Sequence, residues 1–131
     1  MNVENTKKLL TAYPLLYRKL REWGFECGDG WFDLVWKLSA EIELAARLEG
    51  ISESSDAWPS VGVVKYKLGD LRVQFIAPVS DNTRDLVNKA RNLSVNICEL
   101  CAAPCKKATE SELASAGPLC EGCRKAYRAP W

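Results

Sequence analysis

The sequence predicts an α+β protein: helices toward the N-terminus, a β-hairpin, a further helix and a C-terminal module built on cysteines. Three observations predict it. Apolar residues recur at helical spacing up to Leu48 and again after Ser80. Two runs rich in β-branched and aromatic residues flank Gly69-Asp70. Five of the six cysteines fall after Ile97.

A chain of 131 residues suits one compact domain with a small appended module. The change in composition puts a soft boundary near Val95, giving a helical domain with a hairpin over 1–95 and a cysteine module over 96–131. Hydrophobic content of 47% and charged content of 27% are ordinary for a soluble globular protein. Eighteen basic residues against seventeen acidic ones argue against a strongly basic nucleic-acid binder, though not against a local basic patch. The chain has no histidine, which removes histidine-assisted serine or cysteine hydrolysis and leaves thiolates and carboxylates as metal ligands. The opening MNVENTKKLL has no signal pattern, and no apolar run approaches the roughly 18 residues that span a bilayer. A cytoplasmic, reducing setting is therefore expected, with no membrane partner and with cysteines unpaired by disulfides.

Leu9, Leu10, Tyr13, Leu16, Tyr17 and Leu20 are spaced as on helices, and Pro14 interrupts them. The pattern predicts one short helix to Ala12 and a second from about Pro14 to Gly24. Trp31, Val35, Leu38, Ile42 and Ala45, widened by Leu34 and Leu48, predict a long core-facing helix with Asp29 as N-cap and Gly50 as the glycine after its end. Residues 52–60 are polar and predict a loop. Residues 61–67 and 71–77 predict a hairpin with one face on the long helix and a two-residue type II′ turn at Gly69-Asp70. After Pro78, Ser80 or Asp81 caps a helix whose apolar face is Leu86, Val87, Ala90 and Leu93.

Cys98-x2-Cys101 and Cys120-x2-Cys123 are separated by 18 residues, which fits the two-pair zinc spacing. Each pair can turn two sulfurs to one point, and two such knuckles complete a tetrahedron with Zn–S distances of about 2.3 Å. Four thiolates fill the coordination sphere, so the expected cofactor is one structural zinc ion. The polar stretch between the pairs carries little core, so the metal must supply much of the module's folding free energy. A short helical turn after Cys123, stopped by Pro130, makes the module resemble a zinc ribbon or treble clef. Cys105 is expected beside the site as a spectator, and Cys27 as a small buried residue.

The segment Trp23-Gly-Phe-Glu-Cys-Gly-Asp-Gly-Trp-Phe-Asp-Leu with its helix to Glu43, the stretch Lys65-Tyr-Lys-Leu-Gly-Asp-Leu-Arg72 and the two terminal Cys-x2-Cys pairs are together similar to a family of small phage- and prophage-encoded proteins of unassigned function. Where that family has glycine directly after the first pair and again after its proline, this chain has Ala102 and Cys105. The resemblance implies a phage accessory protein acting in bacterial host cytoplasm, and it implies no reaction.

The remaining candidates are contact residues. Gly28-Asp29-Gly30-Trp31 reads as a tight turn with a helix cap, and Asp29 and Asp33 as surface charges. Trp31, Trp36 and Trp23 are expected in the core, and Trp58 in an exposed loop as a contact anchor. Lys106, Lys107, Arg124, Lys125 and Arg128 flank the cysteines and can contact phosphate, although acidic residues dilute them. The expected function is a non-enzymatic, zinc-containing adaptor that binds a host or phage protein, with inhibition of a bacterial defence system as its role. Nucleic-acid binding by the basic residues is the alternative. No small-molecule substrate is evident.

Overall fold

The computed structural model describes residues 1–109 and 117–126. Helix α1 (Val3–Ala12) opens on Asn2, whose side chain accepts the Asn5 N–H at 2.8 Å. It stops at Tyr13, because the following Pro14 disfavours helical backbone in the residue before it. The second helix expected over 14–24 does not form; residues 14–19 are successive turns. The reason lies in where the carbonyls go. Leu16 O accepts the Val61 N–H at 2.8 Å, and Leu15 O accepts from the Arg18 guanidinium at 2.6 Å. Arg18 also bonds Trp58 O and Pro59 O, so this segment serves the 58–61 loop instead of its own ladder.

Strand β1 (Phe25–Glu26) follows Gly24, whose φ of +67° turns the chain. Two residues give no readable periodicity, and this strand has no counterpart among the expected elements. A 3₁₀ turn (Asp29–Trp31) then leads into α2 (Phe32–Leu48). Asp29 does not cap α2. Its carboxylate instead accepts the Asn2 N–H at 2.8 Å and the Asn5 amide at 3.1 Å, tying the start of α1 to this loop. At the far end, Gly50 N–H bonds Arg47 O and Ile51 N–H bonds Ala46 O, both at 3.0 Å. With Gly50 at φ +76°, this is a complete Schellman cap.

Strands β2 (Val61–Lys67) and β3 (Asp70–Phe75) form the expected hairpin. Lys67 pairs with Asp70, so the turn residues are Leu68 and Gly69, not Gly69 and Asp70. Both have positive φ (51° and 92°), as a type I′ turn requires. Strand β2 is central, parallel to β1 and antiparallel to β3. That position explains why Val61, Val63 and Val64 are all buried without alternation.

Helix α3 (Asp81–Ser94) starts at Ser80, whose hydroxyl accepts the Thr83 N–H at 3.2 Å. It packs on both α2 and β3. Leu86 and Val87 are half-buried and Ala90 is buried, while Leu93 lies exposed. Ser94 is buried and accepts the Leu71 N–H at 3.0 Å, fixing the helix end to β3. The core joins Leu9, Leu16, Trp31, Val35, Ile42, Val61, Val64 and Leu71. Within it the Tyr17 hydroxyl donates to Ser39 Oγ at 2.5 Å, since Ser39 gives its own proton to Val35 O.

The tryptophans are distributed differently from expectation. Trp23 is 64% exposed and Trp36 38%, whereas Trp58 is buried at 2% beneath the Arg47 guanidinium. Leu48, expected on the core stripe, is exposed. No helix among the described residues is long and apolar enough to cross a membrane.

Candidate metal centre

The first cysteine pair sits in a tight knuckle after α3. Ala102 N–H bonds Cys98 O at 2.9 Å and Cys98 N–H bonds Ala103 O at 2.8 Å. Closing the knuckle requires Ala102 to take φ +71°, a left-handed conformation that costs an L-residue about 1–2 kcal/mol. The second pair opens α4 (Glu121–Ala126), where Cys123 N–H points to Cys120 Sγ at 3.4 Å and Arg124 N–H bonds Cys120 O at 2.9 Å. The two halves are joined by Glu99 N–H to Pro118 O at 2.8 Å.

The sulfurs of Cys98, Cys101, Cys120 and Cys123 all lie within 4.8 Å of one another, and Cys101 Sγ to Cys120 Sγ is 3.6 Å. A tetrahedron with metal–sulfur bonds of about 2.3 Å has edges of about 3.8 Å, so this spacing fits one four-coordinate ion. A disulfide needs about 2.05 Å, and every cysteine is free. The four cysteines can therefore hold a metal ion.

Electrostatics points the same way. Burial acts to raise the Cys98 thiol, but backbone N–H groups of Cys120, Cys101 and Leu100 outweigh it and bring the group down to about 7. Cys123 is pushed up to about 12 by sharing hydrogen bonds with Cys101 and Cys120. Four thiolates this close repel one another, and a cation removes that conflict. Cys105 lies outside the cluster, half-buried, its thiol raised by burial. Its backbone N–H bonds Asn96 O at 2.9 Å, which holds the knuckle against the end of α3.

The body of the protein grips this knuckle through the Gly28–Trp31 loop. Gly30 N–H bonds Glu99 O at 2.7 Å, Gly28 N–H bonds the Glu99 carboxylate at 2.9 Å, and Trp31 Nε1 bonds Ile97 O at 2.9 Å. A Cβ on Gly28 would stand 2.3 Å from Glu99 O, and one on Gly30 would stand 2.1 Å from Cys98 O. The two glycines permit this approach, which a reading as turn and cap residues does not capture. Glu99 joins the loop and the knuckle, yet a single glutamate between two cysteines carries no spacing signal. Burial raises its carboxyl, while the Gly28 N–H and the N-terminal ammonium lower it.

The candidate contact residues divide. Lys106, Lys107 and Arg124 line a groove of about 490 Å³ beside Cys120, together with Glu121. Lys125 is exposed and pairs with Glu121 at 3.1 Å. Trp58 is buried on α2, away from solvent, and is no contact anchor: Arg47 stacks on its ring and bridges Glu43 and Glu53. Arg128, Pro130 and Trp131 lie outside the described residues. No known protein family, curated protein or solved structure matches the chain.

Proposed function

We propose that the chain is a non-enzymatic phage accessory protein that holds one structural zinc ion and binds a host or phage protein in bacterial cytoplasm, a defence component being the target class. Four thiolates favour zinc over harder cations and leave it no open position for substrate. The metal then acts by stiffening the scaffold.

One surface carries the binding reading. Trp36, Ala40, Leu44 and Leu48 recur every fourth residue on α2 and are all exposed. Leu44 and Leu48 border a groove of about 510 Å³ against Leu86 of α3, whose charged lining residues are Glu41, Glu49 and Asp85, with no cation. An apolar floor with an acidic rim suits an amphipathic helix that carries basic residues beside its apolar face.

A photo-crosslinking residue at position 48, expressed in bacterial cells, tests this. The expected result is one discrete adduct with a second protein, lost when Leu44→Glu is added. No adduct, or an adduct of twice the chain's own mass, would overturn the reading. Interference with defence is read separately, as restored plaque formation on a strain carrying the captured protein.

A further inference from the structure

We propose that the cleft between the β2–β3 turn, α3 and residues 107–108 binds a phosphate group carried by a nucleotide or a nucleic-acid strand. The cleft holds about 740 Å³, within the roughly 300–1,000 Å³ range of small-ligand sites. Its polar lining is Asp70, Arg72, Asn88, Arg91, Asn92 and Lys107, three cations against one carboxylate.

The arrangement of the two arginines carries the argument. Asp70, whose side chain is only 14% exposed, stands between them: Arg72 Nε donates to Oδ1, and Arg91 Nε donates to Oδ2 at 2.7 Å. Both contacts use Nε. The terminal Nη atoms of both guanidiniums make no hydrogen bond among the described residues. Two guanidiniums are thus held in place by one carboxylate while their forked donors remain available, and such forks match phosphate oxygens bidentately. Asn88 and Asn92, one turn apart on α3, add amide donors from the same wall. Lys107 also lines the neighbouring groove that contains Lys106, so positive lining continues past the metal centre. That continuity suits a strand longer than one nucleotide.

This site lies on different residues from the α2–α3 groove and does not depend on it. The test titrates the metal-loaded full chain with inorganic phosphate, ATP and a short single-stranded DNA, at low salt and at about tenfold higher salt. Binding of ATP alone would assign a nucleotide, and salt-sensitive binding of the oligonucleotide would assign a strand. In either case Arg91→Gln and Lys107→Gln should each weaken binding roughly tenfold or more. Lys107 has no ion-pair partner among the described residues, so its variant remains informative even if Arg91→Gln perturbs folding. The proposal is overturned if none of the three probes binds at low salt, or if Lys107→Gln binds as tightly as wild type with an unchanged near-UV spectrum and metal content.

Discussion

Gly30 donates its backbone N–H to the carbonyl of Glu99 at 2.7 Å, a contact made between a loop near the N-terminus and the middle of the first cysteine knuckle. The three atoms nearest a methyl group on Gly30 would be backbone atoms of Cys98, Glu99 and Ala102, at 2.1 to 2.7 Å, and backbone cannot swing aside as a side chain can. Gly30→Ala should therefore destabilise the protein by about 3 kcal/mol or more and weaken metal binding with it. Gly50→Ala is the control. It meets nothing within 4 Å and carries only the strain of its positive φ, so it should cost about 1 kcal/mol and leave metal affinity unchanged. Urea midpoints and competitive metal titration of the two variants check both statements.

Ala102 holds a left-handed φ of 71° directly after the first pair. Ala102→Gly relieves that strain and adds some unfolded-state entropy, for a net gain of about 0.5–1 kcal/mol. A thermal midpoint equal to or below wild type would contradict the strain assigned to this position.

Metal removal should act locally first. The purified chain is expected to carry one zinc by elemental analysis, and a chelator should release it. Amides of residues 98, 99, 102 and 105 should then exchange with solvent far faster, while those of β2 and β3 stay protected. Cys120→Ser should reproduce this loss without chelator. Equal protection of the knuckle with and without metal would show that the ion does not hold it.

Cys27 is buried, and burial pushes its thiol up to about 12. The folded state therefore keeps a proton that the unfolded chain releases from about pH 8.5. The group contributes its stability below that pH and loses it as pH rises through 8.5 toward 12. Between pH 8.5 and 10 wild type should lose about 1–2 kcal/mol relative to Cys27→Ala, seen as converging or crossing denaturation midpoints. An alkylating reagent should spare Cys27 at neutral pH until denaturant is added.

Long-period patterns were legible in the sequence and single-residue placements were not. Helix α2 and the cysteine cluster follow from repeated spacing, which tertiary context seldom overrides. The turn of the hairpin was misplaced by one residue because Leu68 is a poor bearer of positive φ, so Gly69 drew the turn toward Asp70. Trp23 is expected in the core as part of a helix that does not form, and Trp58 in an exposed loop that is in fact covered. Arg18 reaches across to the Trp58 carbonyl and Arg47 lies over its ring, contacts between separate segments that leave no local mark in the sequence. The helix expected after Pro14 failed for a related reason, since the partner of Leu16 O is 45 positions away at Val61.

The loop at residues 28–31 faces two ways. Asp29 grips Asn2 and Asn5 at the head of α1, and its flanking glycines grip Glu99 in the first cysteine knuckle. An ion held by the four cysteines would be coupled through this loop to the seating of the first helix, and such coupling is reciprocal. Whatever factor metal loss imposes on the hold over α1, a ligand that pulls α1 away must impose on the metal's dissociation constant. The first dozen residues would thus serve as a handle on an ion held by residues about a hundred positions further along the chain.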